Sequence, residues 1–205
     1  MKINDLADKV FLINLARRSD RLEKSTEILN NNGITFERFD AVDGKDMPIE
    51  TYMNAGQYGN YLSHLRILDR CLENNTNVVA IFEDDVEFCD GFEEKFAELY
   101  PHIPKDWDMI YLGYNTVSSI HEPTDHPEIV KITNGYAIHA VIFNRKTIDI
   151  AHHDMTSTAV QADVYYANLQ RVLNAYSFSP QLCSQAPDFS DIEEKVVDYR
   201  WIFKW

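Results

Sequence analysis

The sequence predicts an α/β sandwich formed by a single domain over residues 1–205, and three observations carry that expectation. Short apolar runs of strand length alternate with segments whose apolar residues recur at helical spacing, the pattern of strands joined through crossover helices. One run, Val78 to Phe82, is apolar throughout, as expected of a central strand buried on both faces. Seven prolines and seven glycines are scattered singly, and no repeat, low-complexity tract or Gly/Ser linker divides the chain.

The elements follow in order. Val10 to Leu15 reads as a buried strand. Ser19 can cap a helix running to the Asn30–Asn32 stretch, with Gly33 as its left-handed stop. Thr35 to Phe39 suits a second strand, and the spacing of Tyr61, Leu65, Leu68 and Leu72 predicts a helix over about residues 58–74. The Val78–Phe82 strand ends abruptly in Glu83, Asp84 and Asp85. Phe92, Phe96 and Leu99 mark a short helix stopped by Pro101, and Met109 to Leu112 is a further strand. Residues 115–134, with Pro123 and Pro127, are predicted to be a long loop, a feature that in a compact domain is usually functional or disordered. Tyr136 to Phe143 is the next apolar run. His152 and His153 fall at a helix end, where imidazole suits the dipole, and a last helix carries Tyr165, Leu169, Val172 and Leu173 on one face. In such folds ligands bind beyond the carboxyl ends of the strands.

Charge narrows the function. With 33 acidic against 19 basic residues the net charge is −14, which repels phosphate backbones and anionic membrane surfaces, so broad nucleic-acid or lipid-surface binding is disfavoured. The first 70 residues hold 10 basic and 11 acidic side chains against 9 and 22 in the rest, which places the anion site in the first third. Cys71, Cys89 and Cys183 form no CxxC pair and read as small buried hydrophobes of a reducing compartment. Met1 to Val10 carries Asp5 and Asp8 and lacks the apolar stretch of a secretory signal, so a cytoplasmic protein is expected. The tail from Tyr199 to Trp205 mixes aromatics with cations; it either packs as the last element or docks peripherally at a membrane interface carrying a lipid-linked acceptor.

Two segments carry chemistry. Three consecutive carboxylates at a strand end, Glu83-Asp84-Asp85, repel one another unless a cation or donors neutralise them. Oxygen ligands suit Mg²⁺ or Mn²⁺, which bridge one or two carboxylates and substrate phosphates; the competing reading is a solvated acidic turn. Arg17, Arg18 and Arg21 follow the first strand at the start of a helix, an arrangement fit to clamp a diphosphate or, alternatively, a solvated helix face paired with Asp20 and Glu23. Neither GxGxxG nor a Walker sequence is present, which removes ordinary dinucleotide and P-loop chemistry.

Together these segments resemble family 25 glycosyltransferases, the lipooligosaccharide galactosyltransferases and their relatives that glycosylate collagen. The resemblance spans nearly the whole chain. It runs through Val10 to Leu15 with the arginines, Phe36 to Gly44, Gly59 with Leu62-Ser63-His64, Ile81 to Asp85, and Trp107 to Gly113. Looser matches follow at Gly135-Tyr136-Ala137, around Asp163, and from Pro180 to Ile192. The resemblance implies a nucleotide-sugar-binding, Rossmann-like α/β fold of the glycosyltransferase A type. It also implies a UDP-sugar donor, a divalent metal (Mn²⁺ or Mg²⁺) and inversion at the anomeric carbon. By the same resemblance Asp85 would bind the metal while Glu83 and Asp84 orient the ribose and uracil side. Asn14, Arg17, Arg21 and Asp43 would surround the nucleotide, and Ser63 and His64 would open the helix facing it, although His64 reads equally as a buried structural histidine. Asp163 and Asp191 are the candidates for the base that deprotonates the acceptor, each with an N-cap role as its alternative.

Two departures are visible: the chain is short for the family, leaving the acceptor to the loops, and it lacks a lumenal signal and a retention tetrapeptide, which favours a bacterial or viral cytoplasmic enzyme over a collagen enzyme. The expected function is transfer of galactose or glucose from a UDP-sugar to a hydroxyl of a lipooligosaccharide or another glycan, as in lipopolysaccharide biosynthesis. The rivals are a metal-dependent phosphohydrolase and a sugar-nucleotide-binding module without turnover.

Overall fold

A computed structural model describes residues 1–49, 51–193 and 195–202. After a single-turn helix α1 (Ile3–Leu6), strand β1 (Lys9–Asn14) leads into helix α2 (Ser19–Asn31) and strand β2 (Glu37–Asp40). Ser19 is the first helical residue rather than the cap, and Gly33, at φ +66°, ends the segment in the left-handed region as expected. Helix α3 (Ala55–Glu73) starts earlier than the apolar spacing suggests. Asn54 caps it by accepting from Gln57 N at 2.9 Å, and Gln57 Oε1 accepts from Asn54 N at 3.0 Å, a reciprocal box that fixes the first turn. Strands β3 (Val78–Glu83) and β4 (Val86–Phe88) follow, then α4 (Phe92–Leu99), β5 (Met109–Tyr111), β6 (Ile120–Pro123), β7 (Ile129–Thr133) and β8 (Ala140–Asn144). Helices α5 (Arg145–Ser157) and α6 (Ala162–Leu169) precede β9 (Ala175–Phe178), β10 (Cys183–Gln185), β11 (Asp188–Ser190) and β12 (Lys195–Val197).

Eight of these strands form one sheet in the order β2-β1-β3-β8-β5-β9-β7-β6. β1 lies parallel to both β2 and β3, a Rossmann-like half; β8 and β7 run against the other six strands. Both faces are covered, and the alternation within each strand shows it. Phe11, Ile13, Val79 and Ile81 pack towards α3, α5 and α6, whereas Val10, Leu12, Ala80 and Phe82 pack towards α1, α2 and α4. Each of these Val, Leu, Ile and Phe side chains withdrawn from water stabilises the fold by roughly 1.5–3 kcal/mol. The result is the α/β sandwich class expected from the sequence.

Three expectations need correction. Residues 115–134 are not a structureless loop: β6 and β7 form a hairpin on the β9 edge of the sheet. Ile129 and Ile132 anchor it in the core, but β6 is exposed at every position and so leaves no alternating pattern, and Pro123 is tolerated because β6 is an edge strand. Helix α6 ends at Leu169, so Val172 does not join its apolar face and stands 77% exposed. At the helix end expected near His152, α5 continues to Ser157, and the His152 ring contacts Asp69 at 2.8 Å. Cys71 and Cys183 are buried as expected, whereas Cys89 is only partly buried. In the tail, Ile202 is buried and its carbonyl accepts from Thr116 Oγ1 at 2.6 Å, while Trp201 is 74% exposed. The rest of the expected tail contact, residues 203–205, lies outside the described residues.

Candidate active site

The ends of β1 and β3 and the start of α2 converge on one cleft of about 130 Å³, lined among others by Asn14, Arg17, Arg21, Asp43, Asp85 and Asp191. Close packing builds its far wall. A Cβ on Gly59 would lie 2.4 Å from Val42 O, and one on Gly44 would lie 1.9 Å from Ala55 O, so α3 can sit against the Asp43 turn only with glycine at both positions. Ser63 completes that joint: it is fully buried, donates to Gly59 O at 2.7 Å and accepts from Val42 N at 2.9 Å. Its hydroxyl is spent on holding the turn.

The acidic triplet points three ways. Asp84 turns to the arginines, accepting from Arg21 Nη1 at 2.9 Å and from Asn14 Nδ2 at 2.7 Å. Glu83 turns to α3 and accepts from Asn60 Nδ2 at 2.9 Å. Asp85 has Gln185 Nε2 at 3.4 Å and Arg21 at 3.7 Å on one oxygen, while its other oxygen, Oδ1, is buried with no hydrogen-bond partner. Burial is the largest influence on all three and pushes each carboxyl above its ordinary range, with neighbouring carboxylates adding to it for Glu83 and Asp85 and Arg21 opposing it for Asp84 and Asp85. A buried carboxylate oxygen without a donor is what a cation would satisfy, so Asp85 fits a divalent metal. No group of three or more His, Cys, Asp or Glu side chains converges as a metal cage among the described residues. That agrees with Mg²⁺-type sites, which use one or two carboxylates and complete their shell with substrate phosphates and water.

The arginines are already engaged. Arg17 donates to Asp43 at 2.6 Å and to Asp191 at 2.7 Å, and Arg21 donates to Asp188 at 2.9 Å as well as to Asp84. Arg18 binds Asp20, Asp188 and Asp191. The β11–β12 hairpin is thereby strapped over the cleft, and Gly56 on α3 admits it, since a Cβ there would meet Asp191 O at 2.6 Å.

A second, larger cleft of about 370 Å³ meets the first at Asn60, Glu83 and Gln185 and contains Asp163. Asp163 sits in the first turn of α6, where Gln161 rather than Asp163 is the capping residue; its Oδ1 accepts from Val164 N at 2.8 Å, and burial raises its carboxyl above the ordinary range. Asp191 is on the arginine side, away from this cleft's lining. His64 lines neither cleft. It is fully buried behind Glu83 at 4.0 Å, stacks edge-on against Tyr166, and burial holds its pKa down to about 3, so the ring is neutral.

The structure thus brings Asn14, Arg17, Arg21, Asp43, Ser63, Glu83, Asp84, Asp85 and Asp191 to one cleft, puts Asp163 in the next, and leaves His64 in the core. Sequence reasoning missed Asn60, Asp188 and Tyr136. Asn60 had a local signal, one turn from Gln57 and Ser63 on α3; Asp188 reaches the arginines only through tertiary folding.

The glycosyltransferase family 25 (LPS biosynthesis protein) model matches residues 7–175. Procollagen galactosyltransferase 1-B of Xenopus laevis is 33% identical over 140 residues, 58% of this chain and 23% of that protein. Procollagen galactosyltransferase 2 of Mus musculus is 27% identical over 161 residues, 64% and 26% respectively. A probable inactive glycosyltransferase 25 family member 3 of Bos taurus is 30% identical over 137 residues, 56% and 23%. The chain spans about a quarter of the length of these curated relatives. Among solved structures, A197 from STIV shares the fold, with a TM-score of 0.53 at 16% identity and 92% of each chain covered. Because the family match runs from the first strand of the sheet into β9 and takes in both the arginines and the acidic triplet, the chain belongs to glycosyltransferase family 25.

Proposed function

We propose that this chain is a metal-assisted, inverting hexosyltransferase that moves galactose or glucose from a UDP-sugar to a hydroxyl of a glycan acceptor, of which lipooligosaccharide is one kind. The observation that carries the reading is the buried, partnerless Oδ1 of Asp85 beside Arg21 at the end of a parallel strand. Asp85 would hold Mn²⁺ or Mg²⁺, which supplies Lewis-acid stabilisation of the charge on a departing diphosphate. The remaining roles fall to side chains. Arg17 and Arg21 are the phosphate-facing cations, and Asp43, fixed by Lys45 N at 3.1 Å, is positioned for hydroxyls of the nucleotide. Asp163 in the adjoining cleft takes the proton from the acceptor hydroxyl as the new bond forms, and a single displacement inverts the anomeric centre. The phosphohydrolase reading is not favoured, because the family model that matches residues 7–175 is one of glycosyltransferases.

Calorimetry and thermal shift with UDP, UDP-galactose and UDP-glucose, each with and without Mn²⁺, test this. The expected result is a rise in Tm that requires the metal, through mass action on the folded state, and that Asp85→Asn abolishes. A Tm indifferent to nucleotide in the presence of Mn²⁺ overturns the donor reading; transfer by Asp85→Asn at the wild-type rate overturns the metal assignment. Full nucleotide binding with neither hydrolysis nor transfer to any glycan would leave the module without turnover as the better description.

A further inference from the structure

We propose that the second cleft admits an acceptor whose reacting sugar is uncharged or cationic and excludes carboxylated or phosphorylated sugars. This rests on the reading of the chain as a glycosyltransferase and adds the charge class of the acceptor. The two clefts divide the charge sharply. Arg17, Arg21 and Lys45 line the first, whereas no Lys, Arg or His lines the second among the described residues. The second is instead lined by the amides of Gln57, Asn115 and Gln161, by Tyr136, and by the carboxylates of Asp163 and Glu193. Glu193 is paired with Lys195 at 2.8 Å, and Asp163 and Glu83 are the acidic groups further inside. Amide groups offer paired donors and acceptors that suit sugar hydroxyls, while an acceptor carboxylate or phosphate would face the Asp163 and Glu83 side chains with no cation of the lining among the described residues to pair it.

The wall that carries Tyr136 is held in a conformation the sequence would not choose by itself. Ala137 and Asn134 have φ of +67° and +62°, a region costly for Ala because its Cβ crowds the following carbonyl. Buried Gln170 clamps Gly135 from both sides, accepting from its N–H and donating to its C=O at 2.8 Å each, and Asn115 N donates to Tyr136 O at 2.7 Å. Strain imposed this firmly at a cleft wall marks a surface shaped for a ligand, and an exposed flank of Tyr136 there suits the apolar face of a pyranose.

Saturation-transfer NMR on the full chain with methyl β-glucoside, methyl 2-amino-2-deoxy-β-glucoside, methyl β-glucuronoside and methyl glucoside 6-phosphate tests the charge class, read with and without UDP and Mn²⁺. The neutral and amino sugars are expected to bind at least ~10-fold more tightly than the two anions. Tyr136→Ala should remove that binding while UDP affinity, measured by calorimetry on the same sample, is kept. Gln161→Arg should install the missing cation and gain glucuronoside binding, an outcome that mere loss of folding cannot produce. Equal binding of the anionic sugars to the wild type, or no contact from any glycoside, overturns the inference. Failure of UDP alone to bind would instead sink the donor reading, because the glycoside contacts are read independently of it.

Discussion

Arg17 Nη1 lies 2.7 Å from Asp191 Oδ1, although 174 residues separate the two in the chain. The other oxygen of Asp191 accepts from Arg18 Nη1 at 3.0 Å. Burial would raise this carboxyl, but the hydrogen bonds from Arg17 and Arg18 outweigh it and hold it below the ordinary carboxylate range. A carboxylate gripped by two guanidiniums has little tendency to take a proton, so Asp191 is suited to fastening the β11–β12 hairpin over the arginines and poorly suited to be the base. A phosphate would compete for the same donors.

Asp191→Asn is therefore expected to loosen the hairpin while changing kcat by less than ~10-fold. Hydrogen exchange over residues 188–197 should quicken in the variant. Acid should act the same way on the wild type: because the folded pKa is depressed, the tie is at full strength above the ordinary carboxylate value of 3.8 and is lost as pH falls through the lower folded value. Unchanged exchange in Asp191→Asn would show that the strap is held by other contacts.

Arg21 serves both the site and the fold. Its side chain is 12% exposed and it pairs with Asp84, whose own side chain is 11% exposed. Arg21→Ala should weaken UDP binding by at least ~10-fold and also cost about 3 kcal/mol of stability, since removing one partner leaves a buried carboxylate uncompensated. Denaturant melts with calorimetry check both parts, and Arg21→Lys should restore more of the stability than of the affinity, because lysine cannot reproduce the fork that meets Asp84 and Asp188. A variant with native stability and affinity would return Arg21 to a solvated helix face.

What could be read from the sequence was whatever is local. The apolar run Val78–Phe82, the arginines after β1 and the three carboxylates after β3 are contiguous, so both the strand-end position and the chemical types were visible. What Glu83, Asp84 and Asp85 each do was not, because Glu83 faces α3, Asp84 the arginines and Asp85 the cleft beside Gln185, and those directions are set by Asn60, Arg21 and Gln185 from distant segments. The same limit hid the β6–β7 hairpin, since β6 has no buried face to imprint a period of two. His64 was ambiguous for a related reason: only the packing of Tyr166 against its ring shows it to be interior.

That burial makes His64 a source of acid sensitivity. Its pKa falls from 6.5 unfolded to about 3 folded, so the unfolded chain binds the extra proton between those values and stability drops as pH is lowered through that window. At pH 5 the loss is about 2 kcal/mol relative to pH 8. Raised carboxyls at Glu83 and Asp85 act with the opposite sign, gaining stability as pH falls, so the histidine is best isolated by comparison. His64→Gln should be less stable than wild type at pH 8 but lose less on going to pH 5, measured by denaturant melts at both values. Parallel losses in the two proteins would remove His64 as the cause.

The last prediction concerns Asp163. One carboxylate oxygen is held by Val164 N at 2.8 Å, and the side chain lines a cleft that adjoins the donor cleft at Glu83. A base must reach the acceptor hydroxyl and bind its proton reversibly, and burial, which raises the Asp163 carboxyl above the ordinary value, strengthens it as a proton acceptor. Asp163→Asn keeps the shape and the bond from Val164 N but deletes the basic oxygen. It is expected to lower kcat by at least ~100-fold with UDP affinity within ~3-fold of wild type, which separates loss of chemistry from loss of binding. The wild-type rate should also fall in acid, beginning above pH 3.8 because the base is protonated early, and that limb should vanish from the residual activity of the variant. NMR of the product should show inverted anomeric configuration. Retention of configuration rejects the single displacement, whereas a wild-type kcat in Asp163→Asn would move the proton acceptor to another group at the junction of the clefts.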